Sequence, residues 1–410
     1  MSTSPGTQIR IDARSGSTPR ALERYERAVA DFLCSRGAPL AAARAAAREA
    51  PGCAAAHQLE AWLLLCSRDV RNVEAAAAAA RRAAGLRLSA RERGHAAALE
   101  AALDRDLAQA CRRLDALLAQ WPHDIVALEV AGTFDHLLGD AASYARRATR
   151  ALAAWTPGAP GYHAVLAMQA FALEESGEYG RAEEAARAAL EREPLDLRAQ
   201  HAIAHVHEMR GEPDAGIRWM GARAAFWAVP GAAATHHWWH LALFHLERGD
   251  RAHALHLYDR RIAAAPTQIS ELIDASGLLW RLELEGEPQT ARWRALAARW
   301  APHAADAYCA FNDLHAMMAF ASAGREDLSR ALLEAGAAAA AQPGPVGAMA
   351  RLVGLPACRA IHAYARGEHT LAARLLGALP PVMHRIGGSH AQRYVLELTR
   401  FAARQMRRAA

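Results

Sequence analysis

The chain has 410 residues, long enough for two ordinary domains or one elongated repeat array. Alanine-rich runs such as Glu74 to Ala83 and Ala337 to Ala341, with few β-branched residues, argue against a large sheet and predict an all-α protein. The formal net charge is +5 and all 48 basic residues are arginine, but they alternate with acids, as in Glu183-Glu184 with Arg187; that pattern describes solvated helix faces and excludes a nucleic-acid stripe.

Met1 to Arg20 is rich in Ser, Thr, Pro and Gly and has no apolar core of a signal peptide, so residues 1–17 are expected to form a mobile tail. From Thr18 to Gln120 the pattern is alanine-rich and helical, with a loose register of helical pairs. Six cysteines (Cys34, Cys53, Cys66, Cys111, Cys309, Cys358) lack any CxxC spacing. They predict reduced core thiols in a cytoplasmic protein. No stretch is free enough of charge to span a membrane, so a membrane partner is not expected.

From about residue 121 to 380 the sequence repeats. A glycine followed by a polar residue recurs at Gly139, Gly177, Gly211, Gly249, Gly286, Gly324 and Gly367, at intervals of 34 to 43 residues. A proline recurs out of phase at Pro157, Pro194, Pro230, Pro266, Pro302, Pro343 and Pro380. The glycine permits a left-handed turn at the end of helix A of a pair. The proline follows helix B, where a helix cannot continue. The period predicts a right-handed α-solenoid of tetratricopeptide-like helix pairs, each burying its apolar face against its neighbours. Residues 381–410 read as a turn at Ile386-Gly-Gly and a last helix from Ser389, which is placed to cap it.

Counting back from each glycine puts unusual residues on four successive A helices. His201 and His205 are four apart on one face. His237 and His240 follow in the next repeat, then Asp274 and Trp280, then Asn312, Asp313 and His315. Such groups at nearly one height exceed what a scaffold needs, because buried imidazoles cost free energy unless paired. His207 and His245 fall off this stripe and read as surface or packing residues, His236 reads as a helix-start residue, and of Trp238 and Trp239 one must point away. Asp259 fits a structural ion pair as well as a site role.

The runs His201-Ala-Ile-Ala-His-Val-His-Glu-Met-Arg-Gly211, His237-Trp-Trp-His240, Asp274-Ala-Ser-Gly-Leu-Leu-Trp-Arg-Leu282, Phe311-Asn-Asp-Leu-His-Ala316 and Gly387-Gly-Ser-His-Ala-Gln-Arg393 resemble the tetratricopeptide repeat protein 38 family. The resemblance covers residues 120 to 405 and implies the solenoid fold, with no settled activity. It departs at His236-His237 and at Tyr394. It draws in His390, Gln392 and Arg393, which reach the groove if the last helix folds back on the central repeats.

Three functions follow. The first is a groove that binds a small polar or anionic molecule, with His205, His240, Asp274, His315 and Asp313 in acid–base roles. His201, His237, Trp239, Trp280, His390, Gln392 and Arg393 would hold the ligand, Arg393 as an anion clamp. No cofactor is required. The second is a metal-dependent site built on His201 and His205 with His240, His315 and Asp313, although HAIAH lacks the glutamate of HExxH. The third is an adaptor that holds a peptide or protein partner. No nucleotide loop or serine-hydrolase elbow is present.

Overall fold

The computed structural model describes residues 16–229, 231–264 and 266–409. The first fifteen residues of the expected tail, and Pro230 of the proline series, lie outside the described residues. Among the described residues the chain is α-helical with no strand, a helical-repeat architecture of the solenoid class. It forms two compact units, one of residues 1–135 and 141–206, the other of residues 136–140 and 207–410.

In the first unit, α1 (Pro19–Leu33) packs on α2 (Pro39–Glu49), α3 (Ala54–Cys66) on α4 (Val73–Ala84), and α5 (Ala90–Leu103) on α6 (Leu107–Gln120). These are the loosely patterned pairs of the N-terminal third. Their ends are set by local chemistry. Thr18 caps α1, and Ser89 with Glu92 closes a reciprocal capping box on α5. Then come α7 (Ile125–Leu138), of which residues up to Asp135 belong to this unit, α8 (Ala141–Ala154), α9 (Tyr162–Glu175) packed on α10 (Tyr179–Arg192), and α11 (Leu197–Met209), of which residues up to Val206 belong to it. The B helices α2 and α4 bury only alanine, Ala43, Ala46 and Ala47 in one and Ala76, Ala79 and Ala83 in the other, so neighbouring backbones approach closely.

The second unit continues with α12 (Pro213–Ala222), α13 (Ala224–Trp227), α14 (Ala232–Glu247), α15 (Arg251–Leu257), α16 (Ile269–Leu284), α17 (Thr290–Trp300), α18 (Ala310–Ser322), α19 (Glu326–Ala341), α20 (Gly344–Met349), α21 (Leu355–Ala365), α22 (His369–Gly377) and α23 (His390–Ala409). The A helices α14, α16 and α18 pack side by side, α18 packs on α21, and α23 lies against α16, α21 and α22. The 43-residue interval between Gly324 and Gly367 has a structural cause, because α20 and a π turn at Ala350–Gly354 are inserted ahead of α21.

All seven glycines of the repeat series sit in the left-handed region, with φ from 64° at Gly139 to 85° at Gly286. The prolines come just after B helices: Pro157 follows α8, Pro194 follows α10, and Pro343 follows α19. The cysteines are unbridged and four of the six are buried. Among the described residues no helix is long and apolar enough to cross a membrane.

Candidate functional site

Histidine–carboxylate pairs recur in both units, and their hydrogen bonding separates two kinds. In two pairs of the first unit the carboxylate is the cap of the next A helix. Asp124 precedes α7 and accepts from the Ala127 N–H through Oδ1. Its Oδ2 takes His95 Nε2 at 2.9 Å and Arg91 Nε at 2.6 Å. His95 Nδ1 in turn accepts from the Trp62 indole, which fixes the imidazole tautomer. Burial pushes the Asp124 carboxyl up, but His95 and Arg91 overcome it and hold the group well below the usual range. Asp196 repeats the device ahead of α11, with Oδ1 on the N–H groups of Arg198 and Ala199 and Oδ2 2.7 Å from His163 Nδ1. Both oxygens of both carboxylates are used, so these are struts that tie one A helix to the next.

His201 and His205 also belong to the first unit. Their Nε2 atoms are 2.9 Å apart, and His205 Nδ1 lies 3.4 Å from the fully buried Glu174. Phe171 stacks on His201 and meets His205 edge-on. A cavity of about 410 Å³ lies elsewhere in this unit, lined by Arg91, Trp121, His123, Asp124 and Trp155 among others. Its polar walls are engaged: Trp155 Nε1 donates to the Pro122 carbonyl and His123 Nε2 pairs with the Ala154 carbonyl, each at 3.0 Å.

The second unit holds the arrangement that differs. His236 Nδ1 donates to Asp274 Oδ1 at 2.8 Å, and its ring stacks on Trp239 at 5.2 Å. His240, fully buried, meets His236 edge-on at 4.8 Å and sets Nδ1 2.8 Å from Glu208 Oε2. His315 on α18 gives Nδ1–H to the Phe311 carbonyl at 2.8 Å, a bond that orients Nε2 as the acceptor of the neutral ring. The Arg281 guanidinium lies 5.3 Å over the Trp239 ring. It donates to the Gly277 carbonyl at 2.9 Å and to the Ala391 carbonyl of α23 at 2.6 Å. Burial brings Arg281 down to about 10, so it stays charged at neutral pH.

Two atoms of this cluster are left over. Asp274 is 2% exposed and Trp239 1% exposed, yet Asp274 Oδ2 and Trp239 Nε1 have no hydrogen-bond partner among the described residues. Native interiors seldom leave such atoms unmatched, and each unmatched one asks for an explanation. Gly277 leaves the room of a methyl group beside Trp239 Nε1. It lies three residues after Asp274 in the middle of α16, where glycine weakens a helix by about 1 kcal/mol relative to alanine. A β-carbon there would stand 3.4 Å from Arg281 Nη1, 3.7 Å from Trp239 Nε1 and 3.8 Å from His315 Nε2. Three polar nitrogens thus converge over a bare Cα.

Of the residues singled out from sequence, Trp239, His240, Asp274 and His315 come together in this cluster. His201 and His205 contact each other within the first unit. Trp280 is taken up in packing: its indole donates to Thr399 Oγ1 at 2.8 Å and it abuts Trp293 and Tyr364. His237 turns to the other side of α14, stacked on Trp227 with Nδ1 on the Ala233 carbonyl. Gln392 and Ser389 close a reciprocal cap on α23, and Arg393 donates to the Gly388 carbonyl, so these groups shape the turn. His390 is exposed, and Asp313 is half-buried on α18. Asp259 forms a two-pronged pair with Arg292. His236 is not a helix-start residue but the partner of Asp274. Arg281, Glu208 and Gly277 escaped the sequence reading, though a glycine inside a strongly helical pattern was the available signal. Compared with models of known protein families, the chain matches none.

Proposed function

We propose that the α14–α16–α18 cluster of the second unit binds a small polar or anionic molecule and can carry out acid–base chemistry on it. The observation that carries this reading is the pair of unmatched buried atoms, Asp274 Oδ2 and Trp239 Nε1, the second of them 3.7 Å from where a β-carbon on Gly277 would stand. The chemistry of the walls sets the ligand. An acceptor or anionic group would take the Trp239 N–H and face the Arg281 charge, and a hydroxyl or ammonium would donate to Asp274 Oδ2. His236, oriented by Asp274, and His240, oriented by Glu208, are the proton carriers, since a carboxylate on Nδ1–H fixes the tautomer that places the acceptor lone pair on Nε2. The repeat period and the ordered motifs also support membership of a tetratricopeptide-type family such as that of tetratricopeptide repeat protein 38.

The test is a thermal-shift screen of small hydroxy, amino and carboxylic acids, followed by calorimetry of any hit on Gly277→Ala and Asp274→Asn. The added methyl makes only ordinary van der Waals contacts, so Gly277→Ala is expected to fold at least as stably as the parent while losing the ligand. Equal affinity in both variants would overturn the assignment.

A further inference from the structure

A second group of titratable side chains lies at the other end of α14. The left-handed turn at Gly249, φ 78°, folds the start of α15 back on the last turn of α14. His245 and His253 then stack, with ring centroids 3.9 Å apart and planes 18° from parallel. Asp250 stands at the junction. Its Oδ1 accepts from the His253 backbone N–H at 3.1 Å, and its Oδ2 lies 3.4 Å from His245 Nδ1. One ligand atom from each of the three falls within 4.8 Å of the other two. His256, one turn further along α15, has its ring 6.1 Å from that of His253.

The geometry points to a binding site for a divalent transition-metal ion of the zinc type, held by His245, Asp250 and His253. Two imidazoles and a carboxylate are the donor set that zinc and its neighbours accept, with solvent completing the shell. Metal–ligand bonds of about 2.0–2.2 Å around a tetrahedral centre place neighbouring donors roughly 3.4 Å apart. That is the present His245–Asp250 distance, and the exposed His253 ring has only to turn its edge toward them. The protonation state is suitable as well. Burial and the facing His253 hold His245 below the usual histidine value, and the His253 N–H holds Asp250 below the usual carboxylate value. Arg248 on the same turn opposes a cation, but its guanidinium lies 3.1 Å from Asp214. An ion there would add a clamp from α14 to α15 across a turn already closed by the Asp250 cap and by the Asp250 N–H bond to the His245 carbonyl at 2.8 Å. Metal binding therefore adds to the stability of the folded state.

The experiment uses metal-free full-length protein without an affinity tag, titrated with zinc chloride against a chromophoric chelator. His253→Ala removes one exposed ligand and Asp250→Asn keeps a capping side chain while removing the charge. Zinc affinity should fall more than about tenfold in each variant, while their melting curves without metal stay close to the parent's. Added zinc should raise the melting temperature of the parent only. Absence of zinc uptake by the parent, or undiminished affinity in His253→Ala, would refute the site.

Discussion

At the scale of single residues, the decisive contrast is between Asp124 and Asp274. Both are buried and both hold a histidine, but Asp124 spends each oxygen on a named donor and Asp274 spends one. Removing a fully used buried carboxylate strands its partners, so Asp124→Ala should cost about 3–5 kcal/mol in urea denaturation. Asp274→Asn keeps an acceptor for His236 and changes only an atom that has no hydrogen-bond partner among the described residues. Its stability should change by about 1 kcal/mol or less, with its effect confined to ligand binding. The tryptophans divide the same way. Trp280→Phe forfeits the bond to Thr399 and should lower stability by about 1 kcal/mol without touching ligand affinity, whereas Trp239→Phe should do the reverse.

At the scale of elements, α16 and α23 depend on glycines for different reasons. Gly277 sits in an ordinary helical conformation and is there for space. Gly388 has a φ of 78°, and a β-carbon on it would lie 2.6 Å from the Phe311 ring. Backbone strain of roughly 1–2 kcal/mol and overpacking of roughly 1–3 kcal/mol then add. Gly388→Ala should therefore lower the unfolding free energy by at least about 2 kcal/mol in a denaturant titration, while Gly277→Ala should leave it unchanged or raise it. The Gly388 turn delivers Ser389 and Gln392 to cap α23, whose first turn brings the Ala391 carbonyl to Arg281.

At the scale of the whole molecule, buried titratable groups make stability depend on pH. Partial desolvation holds His245 and the more exposed His384 below the usual histidine value of 6.5, so the unfolded chain takes up protons there first. Stability is therefore lost as pH falls from 6.5 toward their lower folded values. Asp124 acts later. Its folded value is depressed, so its contribution is complete above 3.8 and disappears as pH drops below that. Glu283, raised by burial, opposes the trend over part of the range, because the folded state prefers its protonated form. Denaturant midpoints should decline on acidification below 6.5 and then fall more steeply below 3.8. His384→Gln should flatten the first decline; a profile unchanged in that variant would count against it.

What the sequence settled by itself is what neighbours in the chain decide. The seven left-handed glycines, the prolines after B helices, the cap at Ser389 and the division into helix pairs rest on backbone sterics within a few residues, and their spacing is written in the linear order. The stripe of polar residues on A helices was also visible, since helical periodicity assigns faces. Which imidazole meets which carboxylate was not. His236 finds Asp274 38 residues away, and Arg281 meets Trp239 and the Ala391 carbonyl of α23, the latter 110 positions further on. His245 read as a surface or packing residue, and nothing in the linear order showed that the Gly249 turn stacks it on His253. Contacts between elements depend on how helices pack in three dimensions, and no local periodicity encodes them.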